Sequence, residues 1–278
     1  MYKHIKSNET VADKGGKMNA GVINGLKEGQ IEFKAKPDRD NKISFYATAN
    51  KITINWGNGH VEEFTLNGVK EKFTHEYPTG ENFQTVSIVT ESITIFSFNG
   101  ANDATETLQE LKFGECPELR EVYCNNNQLT QLNLSDCTSL IRLDCHNNQL
   151  TQLSLSGCTS LEGLNCGNNK LKKLDLSGCE ALTGLSCYNN KLIQLDLSDC
   201  TALTGLSCYN NGLIQLDLSK NTELEWLNCS SNDLSSSALN GLFESLPENV
   251  GSIYFSKNPD SLDCDRSIYE SKGWQTQM

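Results

Sequence analysis

The chain has 278 residues, 37% of them hydrophobic, and a net charge of −12 with a pI near 4.8. With 23 Lys and Arg against 35 Asp and Glu, it lacks the clustered cations that nucleic-acid binding or an anionic membrane surface requires. No apolar run approaches the ~18 residues of a membrane span, and the start MYKHIKSNETVADKGGKMNAG is too polar for a signal peptide.

Residues 1–29 read as a flexible N-terminal segment. Seven short runs follow: IEFKAK, KISFYATA, KITINW, HVEEFT, KFTHEY, TVSIVT and SITIFSF. Their alternation has the period of two that strand side chains require, and turn residues separate them, so residues 30–100 are expected to form a small β-sandwich. Within WGNG, the pair Asn58-Gly59 predicts a tight hairpin. The order ITINWGNG, then FTHEYPTGENFQTVSIV, resembles bacterial domains of the polycystic-kidney-disease (PKD) type, which usually carry an acidic residue where Asn58 stands.

From residue 115 the chain repeats itself every 21 residues: 115–135, 136–156, 157–177, 178–198, 199–219 and a decaying 220–240. Each copy has two halves, LxxLxCxxN (Leu140, Leu143, Cys145, Asn148) and LxxLxLxxC (Leu150, Leu153, Leu155, Cys158). Either half is too short for an ordinary helix, while LxC or LxL puts two side chains on one face of a short strand. Each copy is therefore expected to be one coil of a solenoid, with coils stacked about 4.8 Å apart in parallel ladders around a leucine core. This pattern resembles the leucine-rich-repeat family, in its 21-residue form with a strand in each half, over roughly residues 108–240, and residues 101–240 are assigned to the solenoid. Before the first full copy, Leu108, Leu111, Phe113 and Cys116 fit the second half, and Ile93, Phe96 and Phe98 nearly fit the first. The solenoid is thus expected to start directly from the preceding strand.

The Asn column (Asn127, Asn148, Asn169, Asn190, Asn211, Asn232) turns inward in that family and bonds backbone groups that the bend leaves unpaired, the chemistry a buried turn needs. Cys137, Cys158, Cys179 and Cys200 hold the matching slot of the second half, and Asn221 takes that slot in the next copy. Eleven of the twelve cysteines form two ladders; one contains Cys145, Cys166, Cys187 and Cys208, and only Cys264 stands outside both. Ladder neighbours have parallel Cα–Cβ vectors that disfavour a bridge, and no spacing fits zinc, so the cysteines are expected to be reduced core residues. After Asn232, LSSSALNGLFESL predicts a helix stopped by Pro247, GSIYFS a strand, NPD a turn and DRSIYESKGW a last helix. These make residues 241–278 a C-terminal α/β cap that covers the last coil.

The four histidines (His4, His60, His75, His146) stand in no recognisable catalytic motif, and no cofactor or metal is expected. The column Asp175, Asp196, Asp217 reads as a solvated face, and Asp260, Asp263 and Asp265 lack the glycine and glutamate of a calcium loop. The outer face of the first sheet is the candidate site. Three successive coils place Gly163, Gly184 and Gly205 at one exposed position, followed by Trp226, and His146, Tyr188 and Tyr209 lie in a neighbouring turn column. Glycine weakens a strand and often marks the close approach of a ligand, and aromatic rings beside a flat floor suit a sugar face or an extended peptide. The sandwich, repeats and cap together resemble surface-exposed proteins of gut-dwelling bacteria, commonly lipoproteins or secreted. That resemblance implies a non-enzymatic module binding a protein or polysaccharide at the cell surface. The alternative is a structural spacer without a specific ligand.

Overall fold

The computed structural model describes residues 26–80, 82–99, 107–135 and 137–276. The expected N-terminal flexible segment falls mostly on residues 1–25, outside the described residues. Each of the seven alternating runs forms a strand: β1 (Gln30–Lys36), β2 (Lys42–Ala49), β3 (Lys51–Asn55), β4 (Val61–Thr65), β5 (Lys70–Glu76), β6 (Gln84–Thr90) and β7 (Ile93–Ser97). An eighth, β8 (Thr107–Phe113), follows. Five of them form one sheet in the order β4-β3-β6-β1-β8. The other three, β5-β2-β7, form the first part of a second sheet. Inward aromatics of the two sheets meet: Phe33 of β1 lies 5.5 Å from Phe45 of β2 and 5.4 Å from Phe98 between ring centroids. Phe96 of β7 meets Phe113 of β8 edge-on at 5.8 Å. Full burial of each such ring stabilises by roughly 1.5–3 kcal/mol.

The Asn58-Gly59 hairpin differs from expectation. Asn55 pairs with Val61, and the Trp56 amide donates to the His60 carbonyl at 3.0 Å, so the loop is Gly57-Asn58-Gly59 rather than two residues. Gly57 and Gly59 take the positive φ values, 84° and 86°, and Asn58 is freed to reach His75 Nε2 at 2.9 Å.

The repeats follow as β9 (Glu121–Tyr123), β10 (Gln131–Asn133), β11 (Arg142–Asp144), β12 (Gln152–Ser154), β13 (Gly163–Asn165), β14 (Gly184–Ser186), β15 (Gly205–Ser207) and β16 (Trp226–Asn228). The first halves stack in register, Leu143 on Leu164, Leu164 on Leu185 and Leu185 on Leu206. β9 also pairs in parallel with β7, Val122 opposite Phe96, so the repeats continue the second sheet without a break. β8, by contrast, pairs antiparallel with β1, although Leu108 still fills the second-half slot by donating its amide to Asn127 Oδ1 at 2.8 Å.

From the third full copy on, the second halves depart from a strand. Only β10 and β12 pair, and the later coils have no strand there. The cross-strand partners in that pair are neutral (Gln131 with Gln152, Asn133 with Ser154). Continued stacking would set Asp175, Asp196 and Asp217 directly opposite one another, and like charges so placed destabilise a ladder. Each of these carboxylates instead accepts from the backbone amide of the serine two residues on, at 3.0, 3.0 and 2.9 Å. Those bonds, together with the serine hydroxyls, hold all three below the usual carboxylate range.

The chain finishes with α1 (Ser236–Ser245), β17 (Gly251–Tyr254), α2 (Ser267–Ser271) and β18 (Trp274–Thr276). Ser235 caps α1 by accepting from the Ala238 amide at 3.2 Å, and Leu239, Leu242 and Phe243 bury its apolar stripe. Lys272 Nζ donates to the Glu244 and Leu246 carbonyls at the other end, at 2.7 and 2.6 Å. β17 and β18 extend the second sheet to eleven strands, β18-β17-β16-β15-β14-β13-β11-β9-β7-β2-β5. One hydrophobic core runs from Ile31 to Trp274.

His75 lies between the rings of Trp56 and His60, 5.1 and 5.0 Å away, and burial, then the nearby His60 charge, lowers its pKa below the ordinary 6.5. The unfolded chain therefore binds this proton more readily than the folded one, so the contribution is complete above pH 6.5 and is lost as pH falls through the folded value. The Tm is expected to drop on acidification below about pH 6.5, with a shallower acid limb in His75→Phe. Equal slopes for the two proteins would remove His75 from the account.

Candidate functional site

The turn after each first-half strand is closed by an asparagine. Asn148 Nδ2 donates to the carbonyls of Cys124 (2.9 Å), Cys145 (3.0 Å) and His146 (3.3 Å), and its Oδ1 accepts from the Leu129 amide at 3.0 Å. Asn127, Asn169, Asn190, Asn211 and Asn232 do the same in their coils. One amide thus satisfies its own turn and the coil before it. In the other half, Cys158 Sγ donates to the Leu134 carbonyl at 3.3 Å and Asn221 Nδ2 to the Leu197 carbonyl at 3.1 Å, the same slot filled by two chemistries.

A second asparagine column escaped the sequence reading. Asn126, Asn147, Asn168, Asn189 and Asn210 all take left-handed φ, between 51° and 58°. Their side-chain amides bond from coil to coil, Asn147 to Asn126 at 2.7 Å, Asn168 to Asn147 at 2.6 Å and Asn210 to Asn189 at 2.6 Å. The signal was the Asn-Asn pair in each of the first five copies: one residue for the inward slot, its neighbour for a backbone region that Asn tolerates better than other side chains.

All twelve cysteines are free and buried. Burial pushes the thiols of Cys116, Cys166, Cys200 and Cys208 up to about 12, and those of Cys145, Cys187 and Cys229 well above the ordinary 9.0. They serve as small apolar side chains. Among the described residues, no group of three or more His, Cys, Asp or Glu could hold a metal ion.

On the outward face of the second sheet, Glu121, Arg142, Gly163, Gly184, Gly205, Trp226 and Ser252 form one row of cross-strand neighbours. Tyr123, Asp144, Asn165, Ser186, Ser207, Asn228 and Tyr254 form the next. The glycines leave a shallow depression of about 520 Å³, with Arg142 and Tyr123 at one end and Trp226, 38% exposed, at the other. A Cβ on Gly184 or Gly205 would meet nothing within 4 Å, so no packing or backbone strain demands glycine there.

Tyr188, Tyr209 and His146 stand two residues past their strands and do not line this depression. The Tyr188 and Tyr209 rings stack 4.9 Å apart and 3° from parallel. Gly167 completes the stack: a Cβ there would lie 2.5 Å from the Tyr188 ring, so glycine is what lets that ring lie flat on the preceding coil. His146 is half-buried rather than exposed in its turn, because Nδ1 bonds Asp144 Oδ1 and sits 3.2 Å from Asn165 Nδ2.

Residues 117–157 and 138–178 match the family model of leucine-rich repeats, so this stretch of the chain consists of such repeats. Among solved structures, an internalin (InlF) from Listeria monocytogenes is similar at 24% identity over 57% of this chain and 47% of its own, with a TM-score of 0.50. The functional domain of InlJ from Listeria monocytogenes, which includes a cysteine ladder, is 27% identical over 60% of this chain and 42% of its own, with a TM-score of 0.45. YopM from Yersinia enterocolitica is 25% identical over 51% of this chain and 30% of its own, with a TM-score of 0.42. The chain therefore spans less than half the length of each of these proteins. No curated protein sequence matches it. Among the described residues, no helix is long and apolar enough to cross a membrane.

Two outcomes follow from the buried bonds. Asn169→Ala strands several buried carbonyls and is expected to cost about 3 kcal/mol in urea unfolding, more than Thr204→Ala on the exposed edge. A native-state thiol titration at pH 8 is expected to detect almost none of the twelve cysteines until denaturant is added. Rapid labelling of the ladders would contradict their place in the core.

Proposed function

We propose that this protein is a non-enzymatic recognition module of the bacterial cell surface, binding a protein or polysaccharide through the outward face of the repeat sheet. In this reading, residues 30–100 are a PKD-like β-sandwich, 101–240 the solenoid and 241–278 a cap that covers the last coil. Tyr188 and Tyr209, with His146 beside Asp144, serve as an aromatic and polar margin to the glycine floor of Gly163, Gly184 and Gly205. Export as a secreted protein or lipoprotein belongs to the same proposal.

The observation that carries it is the glycine floor. Glycine within a strand costs roughly 0.5–1 kcal/mol relative to alanine. Here three successive coils keep it where a side chain would fit freely at Gly184 and Gly205 and meets only the Arg142 side chain, at 3.9 Å, from Gly163. A ligand that must approach the backbone closely accounts for this cost.

Gly184→Thr/Gly205→Thr separates this from a purely structural role. Threonine suits a strand, so thermal stability is expected to rise by about 0.5–1 kcal/mol per site. Binding to a panel of extracellular-matrix proteins and polysaccharides is expected to be lost in the same variant. A ligand held equally by both proteins would move recognition off this face, and a panel without any ligand would favour the spacer reading.

A further inference from the structure

The register of the second sheet carries the candidate face beyond the repeats. Ile95 of β7 stands opposite Glu121, and Thr48 of β2 opposite both Ile95 and Lys70 of β5, so the row containing the glycines ends at Lys70. The neighbouring row continues from Tyr123 through Ser97 and Tyr46 to Lys72. Lys70 Nζ lies 5.6 Å from the Tyr46 ring centroid and 6.0 Å from that of Tyr123, and Lys72 Nζ lies 5.9 Å from Tyr46. Tyr46 is 41% exposed. Among the described residues, neither lysine forms an ion pair with a carboxylate, in a chain whose net charge is −12. The carboxylate on this stretch of the face, Glu121, is engaged by the Tyr123 hydroxyl at 2.9 Å, and Arg142 stands beside it on the next strand.

We propose that Lys70 and Lys72, set around Tyr46, form an anion-binding end of the ligand face, and that its occupant is an acidic, extended segment of a partner protein. The proposal rests on the ligand-face reading and adds the partner's chemistry. Two ammonium groups without carboxylate partners among the described residues, held on an aromatic ring at the rim of an acidic protein, are complementary to carboxylates and steer them toward this end. The path from Lys72 to Trp226 crosses nine strands, about 38 Å at the ladder spacing, which an extended peptide spans in roughly twelve residues. The glycine floor between admits a backbone, and Trp226 offers an apolar contact at the far end. The partner therefore carries acidic residues about twelve positions from an aromatic or aliphatic one.

The test uses a fluorescein-labelled hexaglutamate peptide and fluorescence anisotropy, on the whole chain. The native protein is expected to bind it, more weakly as salt rises from about 20 to 150 mM. Lys70→Gln/Lys72→Gln is expected to lose about tenfold or more in affinity at an unchanged Tm, since truncating paired charges weakens binding by that order. Lys70→Arg/Lys72→Arg keeps the binding, and so does Lys170→Gln/Lys191→Gln, which removes the same charge elsewhere. No hexaglutamate binding at low salt, or equal binding by the Lys70→Gln/Lys72→Gln variant, overturns the proposal. Polygalacturonate bound in place of the peptide also overturns it, by assigning the site to an acidic glycan. The threonine-filled floor reports on the ligand face alone, so the two readings fail separately.

Discussion

Every coil of this solenoid must turn its backbone sharply while buried between two others, and the carbonyls and amides at the bend have no water to bond. The inward asparagine solves this in each coil by donating to three carbonyls and accepting one amide. A side chain with both donor and acceptor atoms on one short stem is required, and no apolar residue supplies it. The leucine ladders depend on this bond set, since a coil that could not close would not present Leu143, Leu164 and Leu185 to one another in register. The outer Asn-to-Asn ladder then ties the left-handed residues of adjacent turns together.

The two sides of the coil are not equivalent. The first halves form a continuous parallel sheet, whereas the second halves pair only between β10 and β12. The aspartates that begin at Asp175 would oppose one another in a tighter ladder, and they bond their own turns instead. That asymmetry leaves the glycine floor on the regular side, where strand spacing and side-chain direction are most strictly set.

The same sheet joins the three parts of the chain. β7 pairs with β9 at one end and β16 with β17 at the other, so backbone bonds rather than a linker connect the N-terminal strands, the repeats and the closing elements. A face assembled this way puts Lys72, Tyr46, Tyr123, Asp144 and Trp226 on one surface, although they are separated by up to 180 positions in the chain. Recognition chemistry can therefore draw on the N-terminal strands as well as the repeats.

Much of this architecture was legible in the sequence, because it is periodic. The 21-residue spacing of leucine, cysteine and asparagine is set by what each coil must bury and bond, and strand alternation marks β1 to β7. The glycine column could be read the same way, since register follows from the period. What the tertiary structure decided depends on contacts that have no period. The antiparallel pairing of β8 with β1 and the three-residue loop at Gly57–Gly59 each follow from particular neighbours. The tyrosine stack lies outside the depression because Gly167 gives Tyr188 a flat seat on the preceding coil. The reach of the face to Lys70 and Lys72 was invisible in the sequence for the plainest reason: pairing of β2 with both β5 and β7 is a long-range choice, and no local propensity encodes which strands become neighbours.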